Sequence, residues 1–156
     1  MKKNLFIAFE GIDGSGKSTQ AKRLARLLEN AGHKVYSTFE PTDNPIGKMI
    51  RDIFNHKMEA DDRTIAGLFV ADRLDHILNK DDGLIKMLNE GYIVITDRYY
   101  LSFYTYHGTN ILRYWVIACN SINANLIRPN INCYIVIPVE FFMERFMQNR
   151  NTIKVY

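Results

Sequence analysis

Eight residues near the N-terminus, Gly11-Ile12-Asp13-Gly14-Ser15-Gly16-Lys17-Ser18, fit the pattern G-x-x-x-x-G-K-[ST]. Each position has a chemical reason. Glycines let the backbone curl so that its N–H groups point inward at phosphate oxygens. A helix that starts at the lysine adds the positive end of its dipole. Lys17 can reach the β- and γ-phosphates of a nucleotide, and the Ser18 hydroxyl can hold magnesium. Gly11, Gly14, Ser15, Gly16, Lys17, Ser18 and Thr19 are therefore the candidate ATP phosphate-binding residues. A chance glycine turn would not need its flanks, yet here an apolar run precedes the pattern and an amphipathic stretch follows it. A second acid near the magnesium is expected. Asp97 ends the apolar run Tyr92–Thr96, and ligands of open parallel sheets gather at the carboxyl ends of strands. Asp97 reads as the Walker-B-like carboxylate; an Asp there also suits a helix N-cap.

These residues need elements to position them. Short apolar runs alternate with helical patterns, which predicts an α/β fold: a central parallel sheet with helices on both faces. Strands are expected at Leu5–Phe9, Val35–Phe39, Tyr92–Thr96 and Asn132–Ile137. Helices are expected at Lys17–Ala31, Pro45–Phe54, Arg63–Leu78, after Gly83 to Glu90, and at Glu140–Asn149, with Tyr104–Asn130 mostly helical. Asn79-Lys80-Asp81-Asp82 matches the base-reading motif of GTPases, but it follows a helical stretch where a strand is required. It reads as a solvated helix end.

The bulk numbers exclude several classes. With 156 residues the chain suits one domain with an apolar core. A composition of 47% hydrophobic and 24% charged residues is globular, and a net charge of +3 requires neither nucleic acid nor membrane. The run after Lys2 and Lys3 is too short for a signal peptide, and no stretch is long enough to span a bilayer. A cytoplasmic protein is expected. Cys119 and Cys133 read as reduced core residues.

Taken in order, the motifs resemble those of the thymidylate kinase family from Leu5 to about Arg150. Phe9–Gln20 is close to that family's P-loop, and Phe39-Glu40-Pro41 to its Glu-Pro turn, with Arg51 ten residues on. Leu68–Arg73 resembles its F-x-A-x-R helix. Asp97-Arg98-Tyr99 with Ser102, Tyr106 and Gly108 resembles its D-R-Y…S…Y-x-G segment, and Arg128-Pro129-Asn130 its R-P-D. The resemblance implies the P-loop nucleoside triphosphate hydrolase fold and phosphoryl transfer from ATP, with Mg2+, to thymidine monophosphate (dTMP). It implies that Arg51 and Arg98 grip the acceptor's phosphate, a task for the guanidinium fork. Phe69 would stack on the pyrimidine, and Arg73 would donate to a base carbonyl. Tyr106 would crowd the sugar's 2′ face. Asp13 would lie between the substrates, near the magnesium that Ser18 and Asp97 hold. Glu40, Pro41, Ser102 and His107 complete the implied acceptor site.

The sequence departs from the family in three places. Phe103 stands where a small polar residue is usual, and His107 where Gln is usual, which bears on base preference. Positions 14 and 15 carry no basic residue, so the resemblance places catalytic cations, Arg150 among them, in a lid beginning near 145–156. The family's later helices are not in this sequence, which reads as a chain cut short: one kinase domain over 1–156. The resemblance also implies a homodimer. Two rivals remain. A deoxynucleoside kinase would use Glu40 as a general base on a hydroxyl; a P-loop remnant would bind nucleotide without turnover.

Overall fold

The computed structural model describes residues 5–102 and 113–148. Four parallel strands form the sheet: β1 (Phe6–Glu10), β2 (Val35–Phe39), β3 (Ile93–Asp97) and β4 (Ile131–Tyr134), in the order β2-β3-β1-β4. The helices are α1 (Lys17–Asn30), α2 (Pro45–Phe54), α3 (Asp62–Leu78), α4 (Leu84–Asn89), α5 (Arg113–Leu126) and α6 (Val139–Gln148). The expected α/β architecture is the one observed.

Alternation along β1 explains the layering, because successive side chains of a strand point to opposite faces. Phe6 and Ala8 enter one core with Val94, Ile77, Leu84, Leu88 and Tyr99, under α3 and α4. Ile7 and Phe9 enter the other with Ile95, Ala21 and Ala25, under α1. All five residues of β1 are buried, as expected of a strand covered on both faces. On the first side, α3 also packs against α2 and α5.

Register places the chemistry. Phe9 lies opposite Asp97, and Phe39 also lies opposite Asp97. In a parallel sheet these three strand ends share one edge. The loops after β1, β2 and β3 therefore emerge side by side.

Some boundaries differ from expectation. The last strand begins one residue early and ends at Tyr134, not Ile137. Its partner β1 stops at Glu10, where the glycine loop begins, so only one further bond, Ile135 N–H to the Glu10 carbonyl at 2.8 Å, prolongs the ladder. Helix α3 starts at Asp62 because the Asp61 carboxylate caps it, accepting the Arg63 N–H. β1 is displaced by one residue from the expected Leu5–Phe9, starting at Phe6 and ending on the acid Glu10. Asn79 is the C-cap of α3 and its side chain accepts the Asp81 N–H at 2.9 Å, so the GTPase-like tetrapeptide is indeed a helix end.

Candidate active site

The loop between β1 and α1 has the backbone that its glycines predict. Gly11, Gly14 and Gly16 take φ of 147°, 75° and 95°. Gly11 has a second constraint: a Cβ there would lie 2.6 Å from the Ile135 carbonyl oxygen. Gly16 caps α1 with no side-chain hydrogen bond, so the first amides of that helix are left to face a ligand. Lys17 is buried, with its ammonium 3.1 Å from the Ile12 carbonyl and 3.6 Å from Asp13. Burial, and then the charge of Arg98, push its pKa down.

At the end of β3, Asp97 meets a hydroxyl from the first turn of α1. The Ser18 hydroxyl donates to Asp97 Oδ2. Asp97 Oδ1 is buried without a hydrogen-bond partner among the described residues. A hydroxyl and a carboxylate beside a phosphate cradle fit magnesium, which takes oxygen donors and few of them from protein. The next residue, Arg98, has a left-handed backbone, φ 74°, unusual for a side chain with a Cβ. Its N–H donates to the Phe9 carbonyl at 2.8 Å and its carbonyl accepts from the Thr96 hydroxyl at 2.9 Å. That turn carries the guanidinium onto Asp13 of the P-loop. Lys17, Asp13 and Arg98 thus form one charged row across the mouth of the loop, with Ser102 3.5 Å from Arg98.

The turn after β2 is held by α3. Glu40 and Pro41 are joined by a cis peptide bond. The Glu40 carboxylate is buried between Arg73, at 2.8 and 2.6 Å, and His76, at 3.1 Å. Burial pushes that carboxyl up, but the Arg73 charge and the His76 bond outweigh it and hold it below the usual range. A carboxylate can only accept, so His76 Nδ1 carries the proton and Nε2 faces Thr38 at 2.7 Å. The next residues are pinned by Asp72, which accepts the Thr42 N–H and hydroxyl at 2.8 and 2.6 Å. Arg51 reaches back from α2 to the Pro41 carbonyl, 2.9 Å, and to Asp43, 2.8 Å.

Of the expected acceptor residues, Arg51, Pro41, Glu40 and Arg73 lie around this turn. The Arg73 guanidinium binds Glu40 and, at 2.5 Å, Asn120 of α5. Phe69 is half-buried, its ring 6.1 Å from that of Phe54. Tyr106, His107, Phe103 and Arg150 lie outside the described residues. Sequence reasoning assigned no role to Glu10, Asp72, His76 or Asn120. Only Glu10 and Asp72 left a trace, as acids inside otherwise apolar patterns.

A parallel sheet whose central strand feeds a phosphate loop, with a carboxylate at the adjacent strand end, defines the P-loop nucleoside triphosphate-binding class. Known proteins narrow that class. The chain belongs to the thymidylate kinase family, whose model matches residues 9–154. A probable thymidylate kinase of Thermococcus kodakarensis is 38% identical over 162 residues, covering 94% of this chain and 73% of that protein. The thymidylate kinase of Caldicellulosiruptor saccharolyticus is 38% identical over 148 residues, covering 92% of this chain and 69% of the other. The crystal structure of thymidylate kinase from Ehrlichia chaffeensis superposes with a TM-score of 0.74 at 27% identity, over 95% of this chain and 80% of that one. Among the described residues, no helix is long and apolar enough to cross a membrane.

Proposed function

We infer that the protein is a phosphotransferase that moves the γ-phosphoryl group of ATP to thymidylate, giving thymidine diphosphate. The observation that carries this reading is the row Lys17–Asp13–Arg98, which sets a second cation opposite the donor's phosphate cradle. Lys17 and the P-loop amides hold the donor phosphates. Arg98 and Arg51 bind the phosphate of the acceptor, and Asp13 orients Lys17 and Arg98 until the two anions arrive. Bringing two anions into line is most of phosphoryl-transfer catalysis. Ser18 and Asp97, with Asp13 near, would hold the magnesium, which would supply charge neutralisation of the triphosphate. Pro41, Phe69, Arg73, Ser102, Tyr106 and His107 shape the nucleoside side, and Arg150 supplies a lid cation. The active species is a homodimer in the cytoplasm, which light scattering and cell fractionation test.

The state of Glu40 favours this reading over a deoxynucleoside kinase. A base for a hydroxyl works best with a raised pKa, whereas Glu40 is held low by Arg73. A monophosphate acceptor needs no base. The test is titration of ATP and thymidylate separately into Arg98→Ala. Loss of a charge-assisted contact should weaken thymidylate by about 1.5–3 kcal/mol and leave ATP unchanged. Equal loss for both, or none for either, contradicts the assignment.

A further inference from the structure

Glu10 is the last residue of β1, fully buried, at the end of an otherwise apolar strand. A buried acid is costly unless hydrogen bonds compensate, and this one has four. Its Oε1 accepts the N–H groups of Tyr99 and Leu101, both at 3.1 Å. Its Oε2 accepts the Ser102 N–H at 3.1 Å and the Ser102 hydroxyl. The chain is helical from Tyr100 through Ser102, so these amides are the orphan donors of a helix start. A carboxylate 89 to 92 residues away in sequence does the work that a local N-cap does elsewhere. Burial pushes the Glu10 carboxyl up, and the bonds from Ser102 and Leu101 oppose that push.

The cap lies directly after Arg98, whose left-handed backbone is held on its other side by the neighbouring β1 residue Phe9. Two consecutive residues of the strand that feeds the P-loop therefore fix the segment carrying Arg98. We propose that Glu10 is a positioning residue for the acceptor phosphate: by capping the Tyr99–Ser102 segment it locks the Arg98 turn, and so sets the acceptor's cation in register with the donor's cradle. The proposal rests on the reading that Arg98 binds the acceptor phosphate.

The test compares steady-state KM values for thymidylate and for ATP in Glu10→Gln, Arg98→Ala and the double variant. KM is independent of the fraction of protein folded, so it separates positioning from stability. Gln keeps the shape but replaces one acceptor oxygen by a donor that faces N–H groups. Glu10→Gln should raise the thymidylate KM about tenfold, the size of one charge-assisted hydrogen bond. The ATP KM should stay within about twofold, and Glu10→Gln should add nothing further in the Arg98→Ala background, as expected of residues that act as a unit. Should Glu10→Gln fail to fold, Glu10→Asp keeps the buried charge, withdraws it from the amides, and should move the same ratio in the same direction. The proposal is overturned if both KM values rise together, if neither moves, or if the effects of the two single changes multiply. An Arg98→Ala protein with normal thymidylate KM overturns the Arg98 reading itself. A large Arg98→Ala effect beside a silent Glu10→Gln overturns only the role of Glu10.

Discussion

Lys17 sits buried and bonded to the carbonyl of its own loop, next to Asp13. An ammonium so placed is available to offset the charge that builds on a transferring phosphoryl group. Lys17→Ala should lower turnover by roughly a hundredfold or more while the thermal midpoint stays close to that of the unaltered protein. A folded Lys17→Ala protein with normal turnover would remove this loop from catalysis. Glu40 makes a different prediction. Its carboxyl is held below the ordinary value of 4.5 by Arg73 and His76, so the pair stabilises the fold above that value. The contribution is lost as pH falls through the lower folded-state value. Glu40→Gln leaves a buried guanidinium without its counter-charge and should cost about 3–5 kcal/mol at neutral pH. The gap between the two proteins should narrow in acid, below pH 4.5, as the unaltered Glu40 takes up its proton. Denaturant titrations at pH 7 and at a series of acid pH values measure it; a gap that does not change with pH contradicts the assignment.

Among the elements, α2 and α3 matter through the turn they clamp. Gly47 of α2 lies so close to that turn that a Cβ would stand 2.0 Å from the Thr42 carbonyl oxygen and 2.8 Å from Asp72 Oδ1. The nearest atom is backbone, so the helix or the turn must move. Gly47→Ala should destabilise the protein by about 1–3 kcal/mol, and it should raise the KM for thymidylate more than that for ATP, because Arg51 and Pro41 move with the turn. Thermal midpoints and the two KM values decide it; unchanged values contradict it. The elements themselves were largely legible in the sequence. β2 and α2 have the expected ends, since an apolar alternation and a helix-starting Pro45 are local signals. The end of β4 was not legible, because it depends on where a partner 124 residues away stops. The same holds for the site. The loop and Asp97 announce themselves by type and spacing, and Arg98 through the family resemblance. The partners of Arg73 do not: Glu40 and Asn120 reach it from β2's end and from α5, and spacing carries no record of such pairings.

For the molecule as a whole, the parallel order β2-β3-β1-β4 brings three loops to one edge. In the proposed reading the loop after β1 would take the donor, the turn after β2 would frame the acceptor, and the turn after β3 would join metal ligand to acceptor cation. A single assay weighs this account most directly: ADP release with ATP and magnesium, offering thymidylate, thymidine and the other nucleoside monophosphates in parallel. Release with thymidylate, exceeding that with every other acceptor and absent with thymidine, is the expected result. Release with thymidine but not thymidylate, or ATP binding with no ADP from any acceptor, contradicts it.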